Sequence, residues 1–247
     1  MATERIIASV EARMTSSRLP GKVLLPANGN PMLYHLIRRL KQVPSLNGIV
    51  LATTTNSTDD VLVDFAKQND IDVFRGSEDD VMTRVIGAGE HARADIIVEI
   101  TGDCPIIDPH IVEQTIRMFL NNSCDYTSNA HIKSYPVGMD TQVFRLATLK
   151  KSAAMTNDRL DHEHVTLHIR NHPEIFRPVY LLAPDNLHWP QLGLTLDEPA
   201  DYQLLKKVIE YFGEGNPCFS CGEVLACLKQ NPDWLKINQH VGRKGDT

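Results

Sequence analysis

The sequence lacks an excess of positive charge, a long apolar run and an ordered set of cysteines. Its formal net charge is −6 at pH 7, which argues against general nucleic-acid binding because proteins that bind nucleic acids usually have a positively charged surface. No stretch approaches the roughly 18 apolar residues that a membrane-spanning helix needs. The opening MATERIIASV lacks a basic region followed by a long apolar core, so we expect no signal peptide and a cytoplasmic location.

The five cysteines form an odd and scattered set, which does not predict a disulfide framework. Cys218 and Cys221 make a CxxC pair, but no second pair follows at the spacing of a zinc ribbon. The pair also lies between two predicted helices and not after a strand, unlike a redox motif. We therefore expect reduced, mostly buried thiols.

The first half alternates short β-branched runs with amphipathic segments, which predicts a single α/β domain with a mostly parallel sheet flanked by helices. The predicted strands are residues 6–10, 48–53 and 96–100. The predicted helices are a segment capped by Asn30 with Pro31 in its first turn, then 58–69, 79–91 and 109–120. The inward faces of the first two helices are Leu33, Leu36, Ile37, Leu40, and Val61, Leu62, Phe65, Ala66.

The second half is less regular in its pattern. Strands are predicted at residues 141–144, 176–182 and 193–196, and helices at 146–155, 162–170 and 199–212. One more helix should begin near Gly222, and the chain should fray over residues 242–247. We find no repeat or convincing linker, which favours one domain.

A cationic loop follows the first predicted strand. Both glycine-rich phosphate motifs, GxxxxGK[ST] and GxGxxG, are absent, so side chains must supply the contacts to an anion. Arg13, Arg18 and Lys22 occur within ten positions of an otherwise acidic chain. Hydroxyl residues and a glycine lie among them: Thr15, Ser16, Ser17 and Gly21. This mixture of point charge, forked donors and flexible backbone predicts a triphosphate site, with a solvated basic turn as the alternative.

Asp103 ends the third predicted strand, in Thr101-Gly102-Asp103. Carboxyl ends of parallel strands meet at one edge of the sheet, so its carboxylate should stand beside the cationic loop. Magnesium takes oxygen ligands and normally only one or two protein carboxylates, with phosphates and water completing the shell. Asp103 is therefore a candidate magnesium ligand, and Asp108, which precedes a proline, is more consistent with a helix cap.

The segment SVEARMTSSRLPGKVLLPANGNPMLYHLIRRL resembles the opening of the cytidylyltransferase family, which includes the CMP-KDO and CMP-sialic acid synthetases. The similarity is closest to the branch named after the spore coat polysaccharide protein SpsF. It continues in the same order to about Tyr211 through FRGSEDDVMTRV, VEITGDCPIIDP, YPVGMDTQVF, DHEHVTLHI and LTLDEPADYQL. A single such motif could be chance, whereas six in sequence indicate the family.

The resemblance implies a Rossmann-like fold of the nucleotide-diphospho-sugar transferase type and a homodimer. It implies magnesium-dependent transfer of CMP from CTP to an acidic or phosphorylated sugar-like acceptor, with release of pyrophosphate, for polysaccharide or glycoconjugate synthesis. Residues 1–125 would form the nucleotide-binding half, 126–215 the acceptor and dimerisation half, and 216–247 a C-terminal tail. No nucleic-acid or membrane partner is expected.

The resemblance also assigns roles to residues. Arg13, Arg18, Lys22 and Asp103 would be catalytic, and Asp197 would join Asp103 on the metal. Asp197 has an alternative role as a helix cap before Glu198 and Pro199, and Asp201 could support it. Other nucleotide contacts would be Ala8, Ala12, Thr101 and Ser77, the last in the segment 75–77 that would flank the base. Acceptor contacts would be Tyr135, Asp140, Glu163 and His164.

Two positions depart from the family pattern, because acidic residues are expected where Val137 and Gln142 stand. This bears on the usual acceptor more than on the chemistry. A glycosyltransferase of the GT-A type is an alternative, although it would usually show a DxD pair and Asp103 is followed by Cys104 and Pro105. A nucleotide-binding protein without turnover is a further alternative.

Overall fold

A computed structural model describes residues 4–242 and places seven strands in one sheet. In chain order the strands are β1 (Ile6–Glu11), β2 (Pro26–Ala27), β3 (Asn30–Pro31), β4 (Gly48–Thr54), β5 (Asp72–Gly76), β6 (Ile96–Thr101), β7 (Tyr126–Ser128), β8 (Gln142–Arg145) and β9 (Pro178–Tyr180). The helices are α1 (Met32–Leu40), α2 (Asp60–Gln68), α3 (Val81–His91), α4 (Pro109–Asn121), α5 (Leu146–Ala153), α6 (Arg159–Glu163), α7 (Leu167–Asn171), α8 (Pro199–Phe212), α9 (Cys221–Gln230) and α10 (Pro232–Leu235).

The main sheet has the strand order β5-β4-β1-β6-β8-β7-β9. Strands β5, β4, β1 and β6 are parallel. Strand β8 is antiparallel to both β6 and β7, and β9 runs parallel to β7, while β2 and β3 form a separate hairpin. The predicted α/β class with a mostly parallel sheet is confirmed, and β1 and β6 end at one edge.

Alternate residues of the central strands bury opposite faces of the sheet, as strand geometry requires. On β1, Ala8 and Val10 pack into the cluster formed with α1, α2 and α4, including Leu36 and Leu62. Ile7 packs on the other face, in the cluster formed with α3, α5 and α7. Helices therefore cover both faces, and the sheet edge between them is left for a ligand.

The predicted strands β1, β4 and β6 and helices α1 to α4 are confirmed to within a few residues. Asn30 does not cap α1, because it belongs to the β2–β3 hairpin and its side chain donates to the carbonyl of Asn28. Pro31 instead occupies the cap position. On α2, Leu62, Phe65 and Ala66 are buried as predicted, whereas Val61 is 46% exposed and its inward assignment was wrong.

The second half holds the larger corrections. The predicted helix 162–170 is two short helices, α6 and α7, because Val165 adopts a positive φ of 46° between them. The predicted strand 193–196 is wrong, since the segment makes only a single bridge between Val137 and Gly193. The strand predicted over 176–182 is limited to Pro178–Tyr180.

The tail forms α9 and then the short helix α10. Of the segment predicted to fray, residues 243–247 lie outside the described residues. All five cysteines lie in the described part and are free thiols, of which Cys104, Cys221 and Cys227 are buried. Within residues 4–242, no helix has the length and apolar character needed to cross a membrane.

Candidate functional site

A cleft of about 310 Å³ opens where β1 and β6 end. The backbone N–H of Gly102, just after β6, donates to the carbonyl of Glu11 at the end of β1 over 2.8 Å, which joins the two strand ends. The cleft brings together most of the residues predicted from the sequence: Ala12, Arg13, Arg18, Lys22, Thr101, Asp103, Glu163, His164 and Asp197.

Lys22 lies at the centre of the charged part of this cleft. Its ammonium donates to Asp103 Oδ2 over 2.7 Å and to Asp197 Oδ1 over 3.2 Å. Burial alone would lower the pKa of Lys22, but the charge and hydrogen bond of Asp103 outweigh it, so the pKa is raised. Burial likewise opposes ionisation of Asp103, and Lys22 nevertheless holds the Asp103 pKa below its usual value. Both Lys22 and Asp103 are therefore charged at neutral pH.

Asp197 reaches the cleft through backbone contacts. The N–H of Leu196 donates to the carbonyl of Asp103 over 2.8 Å, which ties the late segment to the end of β6. The cap of α8 is Glu198, in a capping box with Asp201, so the alternative role of Asp197 as the cap was wrong. Asp201 supports it as predicted, because its Oδ2 accepts from the backbone N–H of Asp197 over 3.2 Å.

The segment carrying Asp197 rests on an irregular loop around Gly138. Leu194 N–H donates to the carbonyl of Val137 over 2.7 Å. Gly138 has a positive φ of 104°, and a Cβ added there would lie 2.7 Å from the carbonyl oxygen of Leu194. Only glycine fits this position without moving the segment.

Gly138→Ala is expected to destabilise the protein by about 1–3 kcal/mol, because it combines backbone strain with a clash against backbone atoms. It should also lower turnover, since the clash displaces the segment that presents Asp197. Urea unfolding and an activity assay measure the two effects. Gly215→Ala is the matched control, because nothing lies within 4 Å of a Cβ there. Equal stability of the two variants would contradict the steric argument.

The two arginines of the loop also face carboxylates. Arg13 pairs with Glu78 at 3.1 Å, and Arg18 pairs with Asp197 at 2.8 Å. Hydrogen bonds from Thr15 and Asn56, joined by the charge of Arg13, hold the Glu78 pKa below its usual value. The described cleft thus holds its cations on acidic partners that an incoming polyphosphate would have to replace.

Glu163 and His164 also line the cleft, at the end of α6. His162 anchors this helix, because its Nδ1 lies 2.9 Å from Asp80 Oδ2 at the start of α3. The hydrogen bond with Asp80 raises the pKa of His162, despite partial desolvation. The helix that carries the two predicted acceptor residues is therefore fixed to α3.

Four predicted contacts are not among the residues that line this cleft. Ala8 is fully buried in the sheet, and Tyr135 is 4% exposed within an apolar cluster. The Ser77 hydroxyl accepts from the backbone N–H of Asp80 over 3.1 Å. Asp140 Oδ2 accepts from the N–H of Gly138, and burial raises the Asp140 pKa to about 6. Their roles as ligand contacts stay predictions.

The departures from the family pattern have structural partners. Gln142 accepts hydrogen bonds from Tyr126 and Thr166 and donates to Glu99. It is therefore part of a buried polar network at the first residue of β8.

Arg75 was predicted in the segment beside the base. It donates from Nε to the carbonyl of Thr54 over 2.8 Å and so connects the ends of β4 and β5.

Two charged residues that line the cleft were not predicted from the sequence, Glu11 and Arg84. Glu11 Oε1 accepts from the Ser9 hydroxyl over 2.9 Å. Arg84 reaches from α3 and donates to the carbonyls of Ser77 and Glu78. The available signal was a carboxylate that ends an otherwise apolar strand, and an arginine between the buried residues Met82 and Val85.

Comparison with known proteins gives consistent matches. The model of the family described as "Cytidylyltransferase" matches residues 7–219. The spore coat polysaccharide biosynthesis protein SpsF of Bacillus subtilis is 35% identical, over 92% of this chain and 95% of that protein. The structure of a cytidylyltransferase from Leptospira borgpetersenii superposes with a TM-score of 0.86 at 31% identity, covering 94% of this chain and 95% of the other. A CMP:2-keto-3-deoxy-manno-octonic acid synthetase complexed with CTP shares the fold, at 19% identity, with a TM-score of 0.62 over 84% of this chain and 99% of the other.

Proposed function

Since the chain belongs to the cytidylyltransferase family of nucleotidyltransferases, we propose that it transfers CMP from CTP to an acidic or phosphorylated sugar-like acceptor and releases pyrophosphate. The observation that carries the proposal is the Lys22 ammonium held between Asp103 and Asp197 in a cleft at the carboxyl edge of the sheet. This is the edge at which such folds bind ligands. The name of the Bacillus relative supports a place in polysaccharide synthesis.

The reaction needs positioning and charge neutralisation more than covalent chemistry by the protein. The acceptor oxygen attacks the α-phosphorus of CTP, and pyrophosphate departs. Arg13 and Arg18 leave Glu78 and Asp197 to bind the β- and γ-phosphates, which suit their forked donors. The Lys22 ammonium also binds these phosphates, as a point charge, and stabilises the leaving pyrophosphate. Each cation thus exchanges a carboxylate for a phosphate.

Asp103 and Asp197 fit a magnesium ion as ligands. Both offer carboxylate oxygens, and one oxygen of each already lies within 3.2 Å of a single cation, the Lys22 ammonium. Within residues 4–242 no group of three or more potential metal-ligand side chains is found. Two carboxylates are sufficient for magnesium, which usually takes its other ligands from phosphates and water. An ion held there would supply positive charge for the phosphate oxygens and the attacking hydroxyl.

The acceptor would enter beside Glu163 and His164, which line the same cleft as the cationic loop. Tyr135 and Asp140 do not line the cleft. They would contact the acceptor only if the loop that carries them moved. The proposal further includes a homodimer and a cytoplasmic location, where CTP is made and used.

A pyrophosphate-release screen with magnesium tests the function. It pairs CTP, UTP, ATP and GTP with three acceptor classes: 3-deoxy-2-ulosonic acids, nonulosonic acids, and sugar or polyol phosphates. We expect acceptor-dependent release with CTP. Hydrolysis of a nucleotide sugar without pyrophosphate would indicate a glycosyltransferase instead, and CTP binding without turnover across all acceptors would indicate a binding protein.

A further inference from the structure

Two buried polar atoms in the cleft wall have no hydrogen-bond partner among the described residues. They are Oε2 of Glu11 and Nε of Arg84. Both side chains line the cleft that holds the cationic loop. Buried polar atoms are nearly always paired, and an unpaired one costs free energy. An acceptor and a donor left unpaired in one ligand cleft therefore indicate groups that are completed by the ligand.

The rest of each side chain is fixed. Glu11 Oε1 accepts from Ser9, which sits two residues earlier on the same face of β1. Arg84 uses Nη1 on the carbonyls of Ser77 and Glu78. The free oxygen and the free nitrogen are thus presented by anchored side chains, which is what a selective contact requires.

Both residues border the cationic loop without belonging to it. Glu11 immediately precedes Ala12 and the cationic loop, and it is paired in the sheet with Thr101. Arg84 is bonded to Ser77, in the loop after β5, and Glu78 in that loop also binds Arg13. If the phosphates of a nucleotide bind Arg13, Arg18 and Lys22, its base can lie against Glu11 and Arg84.

We propose that Glu11 and Arg84 read the base of the nucleotide and select cytosine over uracil. Glu11 Oε2 accepts a hydrogen bond from the exocyclic amino group, and Arg84 Nε donates to an acceptor on the same ring edge. Carboxylates recognise the cytosine amino group in this way in other settings. Uracil presents a carbonyl oxygen at that position, which faces Glu11 as acceptor against acceptor. The inference rests on the proposed function and names the residues that give it its nucleotide preference.

The ligand-free cleft disfavours the charged forms of both side chains. Burial, and then the charge of Glu99, raise the pKa of Glu11 well above its usual value, while Arg84 opposes the shift. Burial also lowers the pKa of Arg84. A cytosine amino group that donates to Glu11 stabilises its carboxylate, which is the form that accepts this hydrogen bond and repels the uracil carbonyl.

Calorimetric binding of CTP and UTP with magnesium tests the inference without needing the acceptor. The wild-type protein should prefer CTP, and Glu11→Gln should reduce the ratio of CTP to UTP affinity by about 10-fold or more, the scale of one good base contact. The amide of the variant can turn its NH₂ group toward the uracil carbonyl. Glu90→Gln, an exposed change on α3 in contact with Lys150, is the matched control and should keep the wild-type ratio.

A second measurement uses only the wild-type protein, in case the variant folds poorly. The triphosphate of the pyrimidin-2-one ribonucleoside, which lacks the amino group, should bind about 10-fold or more weakly than CTP. Equal binding of these two nucleotides, or a Glu11→Gln protein with an unchanged CTP to UTP ratio, overturns the inference alone. Failure of the wild-type protein to bind CTP at all overturns the proposed function as well.

Discussion

Asp103→Asn is expected to lower turnover by at least ~100-fold while leaving the fold intact. Asparagine keeps the size of the side chain, and its oxygen can still accept from the Lys22 ammonium that now lies 2.7 Å from Asp103 Oδ2. What is lost is the negative charge that would hold the proposed magnesium ion. Loss of one key electrostatic group typically costs this much in rate. Pyrophosphate release at saturating CTP and magnesium measures it.

Asp60→Asn is the control for Asp103→Asn, because Asp60 is an exposed carboxylate, paired with Arg75 at 2.6 Å, that does not line the cleft. Its turnover should match that of the wild type. Thermal unfolding should place both variants close to the wild-type protein. Near-normal pyrophosphate release by Asp103→Asn would remove Asp103 from the metal site.

Lys22→Ala is expected to lower turnover by a similar factor, at least ~100-fold, because the leaving pyrophosphate loses its point charge. The variant also leaves Asp103 and Asp197 facing each other without their shared ammonium. Two neighbouring carboxylates repel and attract a divalent cation. Magnesium without nucleotide should therefore raise the melting temperature of Lys22→Ala more than that of the wild-type protein.

Lys67→Ala provides the comparison for Lys22→Ala, since Lys67 is an exposed lysine in an i,i+3 pair with Asp64. It should change neither turnover nor the response to magnesium. An equal magnesium effect on Lys22→Ala and the wild-type protein would show that the two carboxylates do not form a cation site. Turnover within a few-fold of the wild type would argue against the role of Lys22 on the phosphates.

The parts of the fold that the sequence predicts are those set by local pattern. The strands β1, β4 and β6 are short β-branched runs, and α8 spans Pro199–Phe212 as predicted because Pro199 suits a first helical turn. The positive φ of Val165 leaves no such pattern, so the helix over 162–170 was predicted as continuous. The segment 193–196 has strand-like composition, but its partner is the irregular loop at Val137.

The candidate site also contains residues that local pattern predicts and residues that it does not. Arg13, Lys22 and Asp103 could be placed because each follows a strand whose direction the pattern predicts. Asp197 could be brought to them only by resemblance, since its approach depends on the contact of Leu196 with Asp103 between distant parts of the chain. The acidic partners of the cations could not be predicted either, because no sequence pattern around Glu78 indicates its pairing with Arg13.

The hydrogen bond between Leu196 and Asp103 has a consequence for biosynthesis. The parallel half of the sheet, from β1 to β6, is complete early in the chain, and domains generally fold from the N-terminus during synthesis. The segment that carries Asp197 emerges from the ribosome long afterwards and must close a large loop to reach Asp103, which is a slow kind of contact to form. A nascent chain would thus acquire its cationic loop first and its second carboxylate last. Competence for catalysis would arise in a late docking step, after the strands that form the parallel half of the sheet have been synthesised.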